Sequence, residues 1–437
     1  MSLQIECIDP LRPFRLIAFM PDRGMISELE EPVLNERSLL TILAAMQFTN
    51  IMDFMVMMPL GPQFKTVFQI DDGKFGLLVS SYAFSAGFFG LFGAIFIDRY
   101  DRRRSLLVLF AGFTIGTLLC GLSPDYHFLL LARTVTGAFG GIMGATLLAL
   151  IGDVIPEERR GRAVGSVMAA FSVASIAGVP LGLLLADAFR WQATFYFIFI
   201  LCVLIFISSL KFIPSAKGHL RKEVSGGGLK DLQRDLKRLF AVMFLPNHIR
   251  AFLFMLSMIM AGFSVIPYLA NYMVANVGMD MSDLKYIYLS GGAFTFFTAR
   301  IIGFLSDKFG KLRMFTIIAF LSMFPILLIT NLPKLPFALV ITSTTIFMIF
   351  VSGRFVPAMA MITSSARPED RGSFMSLNSA VQQMASGIAA FVSGSIIGTL
   401  PDHTMVRYEL VGLMALWFTV IAMMLASRLR LAESKGY

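Results

Sequence analysis

The run TNIMDFMVMMPL, residues 49–60, places one charged residue, Asp53, among apolar neighbours. A carboxyl at such depth in a membrane helix costs roughly 2.5–3.5 kcal/mol, so it marks a pathway or has a partner. Three cations also lie within apolar runs: Arg133, Arg300 and Arg354. At about 1.5 Å per residue, Asp53 lies about 10 Å inside the end of its run, and Arg133 about 8 Å inside the corresponding end of another. Their depths therefore agree. If the two meet, burial and the cation act on the carboxyl proton in opposite senses, and anything that weakens the pairing favours protonation. Such a pair can exchange a proton for a cargo, with Asp53 binding the proton and Arg133 tuning it. The competing readings are a static ion pair, or an Asp53 held by Asn50 one turn away. Arg300 lies seven residues before Asp307, close enough to a surface to snorkel. Arg354 either binds an anionic substrate or contacts a helix-end carbonyl. Gln382 and Gln383, about 15 Å into their run, bond a ligand or a neighbouring helix. Met52, Met55, Met57 and Met58 surround Asp53 with adaptable side chains.

The elements that must position these residues are membrane helices. Of 437 residues 56% are hydrophobic and only 15% charged, too apolar for an ordinary water-soluble domain. Apolar runs of about 20 residues, long enough to cross the hydrocarbon layer, recur twelve times. They fall at 38–60, 75–97, 105–122, 128–152, 163–186 and 193–213, then at 249–273, 284–306, 312–331, 335–360, 373–398 and 408–428. The predicted class is therefore an all-α membrane protein. The formal net charge of +9 raises the question of nucleic acid. Threading the chain from a cytoplasmic N-terminus puts 28 of the 37 Lys and Arg in tails and cytoplasmic loops, 6 outside and 3 within spans. That is the positive-inside pattern, with both termini cytoplasmic, and it needs no acidic partner.

Residues 1–37 form the expected N-terminal tail, which lacks the apolar core and cleavage site of a secretory signal; Met20 and Met25 are further candidate starts. Residues 214–248 form a cytoplasmic linker, and 429–437 a C-terminal tail. Within the linker LKDLQRDLKRLF, 229–240, reads as an amphipathic helix lying on the membrane surface. Cys7, Cys120 and Cys202 offer neither a disulfide framework nor metal-ligand spacing. No phosphate-binding G-x-x-x-x-G-K-[ST] loop and no paired carboxylates occur, which argues against an ATP-driven pump and against an enzyme. No cofactor is implied.

The chain is written twice. GAIFIDRYDRRRSLL, 93–107, aligns with GFLSDKFGKLRMF, 303–315, at an offset of 209 between Asp98 and Asp307. A second pair of loops, beginning at Pro156 and Pro368, aligns at an offset of 212. Two parallel six-helix bundles, 38–213 and 249–428, follow, an organisation typical of secondary transporters with a midplane site.

These loops resemble the major facilitator superfamily signature G-x-x-x-D-[RK]-x-G-[RK]-[RK]. The second copy matches at Gly303, Asp307, Lys308, Gly310 and Lys311, with Leu312 departing. The first matches at Asp98, Arg99, Arg102 and Arg103, with Ala94 and Asp101 in the two glycine places. LLLARTVTGAFGG, 129–141, is similar to the fourth-helix pattern of proton-linked members through Arg133 and Gly137. ASIAGVPLG, 174–182, resembles the fifth-helix glycine-proline motif of antiporters through Gly178, Pro180 and Gly182, with Val179 interposed. RWQATFYF, 190–197, is similar to the opening of the sixth helix in the twelve-span drug and sugar efflux group.

The resemblance covers about residues 38–428 and implies a proton-coupled antiporter, functional as a monomer in a plasma or bacterial inner membrane, that exports a small organic compound by alternating access. It also implies that the two loop motifs, through Asp98 and through Asp307 with Lys308 and Lys311, form pairs in one state of the cycle and release them in the other. A proton-coupled uptake symporter for a sugar or organic anion is the alternative; a receptor or scaffold on the same fold is a third. The glycines near Gly137, Gly140, Gly141 and Gly144 predict close helix contact rather than phosphate binding.

Overall fold

A computed structural model describes residues 36–97, 100–214, 241–367 and 370–430. Asp98, Arg99, the amphipathic segment 229–240 and both predicted tails apart from 36–37 and 429–430 lie outside the described residues. Twelve long helices run in sequence: α1 Glu36–Val56, α2 Asp72–Ile97, α3 Arg102–Gly121, α4 Tyr126–Val154, α5 Glu158–Ala188 and α6 Trp191–Phe212. After the linker come α7 Pro246–Val277, α8 Met281–Phe309, α9 Lys311–Thr330, α10 Phe337–Ser365, α11 Arg371–Ile396 and α12 Tyr408–Ser427. Eleven of them are long and apolar enough to cross a membrane. The exception is α11, which is the eleventh predicted span. At 26 residues α11 is long enough, but Gln382, Gln383 and six serines make it too polar. Its place accounts for the composition, because α11 packs extensively along α2 and α7, which cover much of its surface with protein.

The helix limits follow local chemistry. Asp101 caps α3 by accepting from Arg103 N, and Asp125 caps α4 by accepting from Phe128 N, each satisfying an amide that the first turn leaves unpaired. α1 ends at Val56 rather than at Leu60, since Pro59 has no N–H to extend the ladder. A turn and a short helix, Gly61–Phe68 with Pro62 in its first turn, lead into α2. Pro180 leaves a carbonyl without its donor, and α5 passes through a π-turn at Ala174–Gly178 just before it.

Hydrophobic cores run through both groups of six helices. α1 packs on α5 and α6, and α2 and α3 on α4; α7 packs on α11 and α12, and α8 and α9 on α10. Between the first six and the last six, the most extensive contacts are α2 on α11 and α5 on α8. The end where α1 begins is called the near end below, and the opposite end the far end. At the far end a hairpin, β1 Gly398–Thr399 and β2 Met405–Val406, joins α11 to α12.

Candidate functional site: a buried carboxylate and its arginine

Asp53 sits one turn before the end of α1 and Arg133 two turns into α4, and both are fully buried. The fold brings them together: Arg133 Nη1 lies 2.5 Å from Asp53 Oδ2. Matched depth on two contacting helices is what the residue count anticipated. The second carboxylate oxygen, Oδ1, accepts from Thr117 Oγ1 of α3 at 3.3 Å. Tyr82 of α2 presents its ring face to the guanidinium, with Cζ 4.5 Å from the ring centroid, an arrangement that favours the cation. Asn50 does not bond Asp53. It accepts from Tyr82 Oη at 2.7 Å and donates to Gly140 O at 3.4 Å, fixing the tyrosine that flanks the arginine. Thus the carboxylate is held by one cation and one hydroxyl. Losing the cation strands it in a dry interior.

Close packing of α4 on α2 makes the geometry possible. A Cβ at Gly137 would stand 2.4 Å from Tyr82 O, and one at Gly141 would overlap Ala86 backbone, so these positions let the helices approach. Gly140 abuts Tyr82 Oη and Asn50; Gly144 faces open space and departs from the expectation. On α5, Gly178 lies against Met52 and Phe48, and Gly182 against Val56 and Thr194, so the glycine-proline segment packs on the helix that carries Asp53. Phe54 links this site to the last six helices, its ring 5.2 Å from Tyr82 and 6.1 Å from Phe263 of α7.

The other candidates scatter. Arg102 pairs with Asp153 at 3.0 Å, tying α3 to the end of α4, and Arg103 donates to Leu210 O at 2.5 Å. Gly310 terminates α8 with φ +92°, a conformation open chiefly to glycine. Lys311 donates to Ser364 Oγ at 3.4 Å, and Asp307 forms no ion pair with Lys308 or Lys311. Gly303 has only Val356 nearby. Arg300 is exposed and stacks over Phe296 at 4.3 Å. Gln382 and Gln383 are half-buried. Arg354 is buried, far along α10 and separate from Asp53.

Sequence reasoning missed Thr117, Tyr82 and a polar cluster at the far end. There Asp72, 1% exposed, accepts from Lys65 Nζ and from Thr399 Oγ1, each at 2.7 Å, and from Asn271 Nδ2 at 3.4 Å. Tyr268 Oη donates to Ala390 O at 2.6 Å beside it. Lys65 and Asp72 belong to the first six helices and their loop; Thr399 and Asn271 belong to the last six. No spacing rule links residues more than three hundred positions apart. The far end is therefore closed across the molecule. A Cβ at Gly144, Gly152, Gly161, Gly165 or Gly372 would meet nothing within 4 Å, so those positions of α4, α5 and α11 face open space.

A family model described as Major Facilitator Superfamily matches residues 43–265 and 251–436. The chain is 26% identical over 380 residues to "Uncharacterized MFS-type transporter YwfA" of Bacillus subtilis strain 168, covering 85% of this chain and 87% of that protein. It is 31% identical over 166 residues to "Multidrug resistance protein Stp" of Mycobacterium tuberculosis strain CDC 1551 / Oshkosh, covering 37% of this chain and 31% of the relative. It is 27% identical over 207 residues to "Probable sugar efflux transporter" of Mannheimia succiniciproducens, covering 47% and 49%. Each of these two matches thus spans less than half of the relative. Among solved structures, an inward-facing, unoccupied bacterial homologue of the lysosomal transporter Spinster superposes with a TM-score of 0.71 at 16% identity, covering 90% of this chain and 97% of that one. A D-xylose-proton symporter gives 0.70 at 16% identity, covering 89% and 96%. At such identities the likeness is one of fold.

Proposed function

This chain belongs to the major facilitator superfamily, and from that premise we propose that it is a proton-coupled antiporter exporting a small organic compound, a drug-like amphiphile or a sugar. The observation that carries the reading is the Asp53–Arg133 pair. A transporter needs a group whose charge changes with its conformational state, and Asp53 is an acid buried within the spans and neutralised by one arginine. A movement of α1 against α4 that lengthens the pair favours the protonated acid; restoring the pair expels the proton. Packing of α5 on α1 through Gly178 and Gly182 gives the carrier helix a rigid backing during that movement. The names of a multidrug resistance relative and a sugar efflux relative, together with the glycine-proline segment, support export.

Two six-helix bundles, 38–213 and 249–428, rock against each other in this reading, with the linker 214–248 between them. In this reading the near end is the cytoplasmic one, and the excess of Lys and Arg in its loops supports that side. Closure at Asp72 then corresponds to a state shut on the side opposite the cytoplasm. The loop aspartates Asp98 and Asp307 find their partners in the opposite state. Asn50, Gln382 and Gln383 contribute polar contacts to the cargo, and the protein works as a monomer in a bacterial inner membrane.

Purified protein in liposomes, given a pH gradient and a panel of radiolabelled sugars, amphiphilic drugs and metabolites, tests the proposal. Wild type is expected to move at least one compound against the proton flow, and Asp53→Asn to lose the gradient dependence. Full proton coupling in Asp53→Asn would sink the carrier role. Protons moving with the cargo would replace antiport by symport.

A further inference from the structure

Arg354, 2% exposed, is with Arg133 an enclosed guanidinium, and among the described residues no acid pairs with it. It stands at the break in α10 between Phe337–Gly353 and Phe355–Ser365. Nη1 donates to Thr419 Oγ1 of α12 at 3.2 Å and to Ser322 Oγ of α9 at 3.5 Å. Both hydroxyls already donate to their own helices, Thr419 to Ala415 O and Ser322 to Ala319 O, so they offer lone pairs but no charge. Nη2 is buried without a partner among the described residues, and none of the ion pairs among those residues includes Arg354. A cation left this way in a dry interior is costly unless an anion joins it.

The repeat indicates which group is missing. Gly262 of α7 follows Asp53 by 209 residues, the offset that separates Asp98 from Asp307. A Cβ at Gly262 would lie 3.3 Å from Arg354 Nη2. In the second half, then, the register position of the first-half carboxylate bears no side chain, and it abuts an arginine that has no acid. The arginine itself enters from a different level of its helix, because the two loop offsets, 209 and 212, carry Arg133 to Thr342 and Thr345, about three turns before Arg354. α7 is also interrupted here: its first helical stretch ends at Phe263 and resumes after a 3₁₀ turn at Ile266–Tyr268. Two interrupted helices thus converge on one unpaired guanidinium, the setting in which transporters of this architecture hold ions and cargo.

We propose that Arg354 binds a compact monoanion, a carboxylate or a halide, which supplies from outside the chain the negative charge that Asp53 supplies within it. The anion site stands on the geometry of Arg354 and Gly262. Reading the anion as a carboxylate carried by the exported compound rests on the transport proposal above and narrows that compound to one bearing an acid group. Binding is measured without transport, so the two ideas fail separately.

The test uses full-length protein in detergent, exchanged into sodium isethionate, with chloride or acetate substituted at constant ionic strength. The melting temperature of wild type is expected to rise saturably, by about 2 °C at tenfold excess over the dissociation constant. Acetate acting alone identifies a carboxylate site, and chloride acting alone an inorganic-anion site. Arg354→Gln is expected to abolish the response, and Arg354→Lys to retain it weakly. Gly262→Asp, which places a carboxylate against Nη2, is expected to melt higher than wild type in isethionate and to ignore both anions. That variant keeps the test decisive if Arg354→Gln does not fold. No rise in wild type with either anion, an unchanged response in Arg354→Gln, or a wild-type response in Gly262→Asp would overturn the proposal.

Discussion

The first six helices carry the buried acids, and the last six answer with neutral groups. Asp53 meets Arg133, whereas Arg354 hydrogen-bonds, among the described residues, Ser322 and Thr419. At the far end the same division recurs, with Asp72 from the first half held by Thr399 and Asn271 from the second. A duplicated chain has thus kept its shape while giving its halves different electrostatic tasks. One half contains a charge balance that movement can disturb; the other presents a cation and hydrogen-bonding groups to whatever meets it.

The most damaging way to probe this difference is to remove each arginine. Arg133→Met leaves Asp53 buried without its cation, and the expected loss is about 3–5 kcal/mol. Arg354→Met strands no acid among the described residues, so its loss is expected to be clearly smaller. Thermal unfolding of both variants beside Asp53→Asn/Arg133→Met measures the contrast, with the double variant recovering most of the loss. Equal destabilisation by the two arginine substitutions would remove the distinction between the halves.

A smaller effect is expected at the far end. Asp72→Asn weakens charge-assisted hydrogen bonds to Lys65 and Thr399, at about 1–2 kcal/mol. Since 1.4 kcal/mol is a tenfold change in an equilibrium, the far-end-closed population should fall visibly. Thr399→Val removes only one neutral donor and should move it less. Spin labels at Lys74 and Arg407, read by pulsed dipolar spectroscopy, report the separation of the two sides. Identical distance distributions in Asp72→Asn and wild type would mean that packing alone closes this end.

How much of this could be read from sequence depends on how local the cause is. The helices were legible because crossing a membrane demands a continuous apolar run, and α11 diverged because a helix that faces protein is free of that demand. Asp53 and Arg133 were legible as a pair because depth along a helix can be counted. Thr117 and Tyr82 were not, since a threonine and a tyrosine are unremarkable in a membrane helix until the packing of α2 and α3 around α1 and α4 assigns them a face. The Asp72 cluster was hidden for another reason: its members come from loops and helices at opposite ends of the chain. Gly262 was invisible too, because a glycine is informative only once Arg354 stands against it.

The smallest expected effect concerns the second glycine place of the loop motif, where one half has Gly310 and the other Asp101. Gly310 in the second copy adopts φ +92°, while Asp101 in the first has φ −56° and caps α3 through its carboxylate. The departure from the glycine pattern at 101 is therefore a change of device rather than a defect. One loop turns by backbone freedom, and the other by a side-chain hydrogen bond. Asp101→Gly should cost only a few tenths of a kcal/mol, because glycine is itself a tolerable cap, whereas Asp101→Ala should cost about 1 kcal/mol. Chemical denaturation of the two variants side by side tests the order. If both cost the same, the cap contributes nothing and the carboxylate at 101 serves the loop's charge pattern instead.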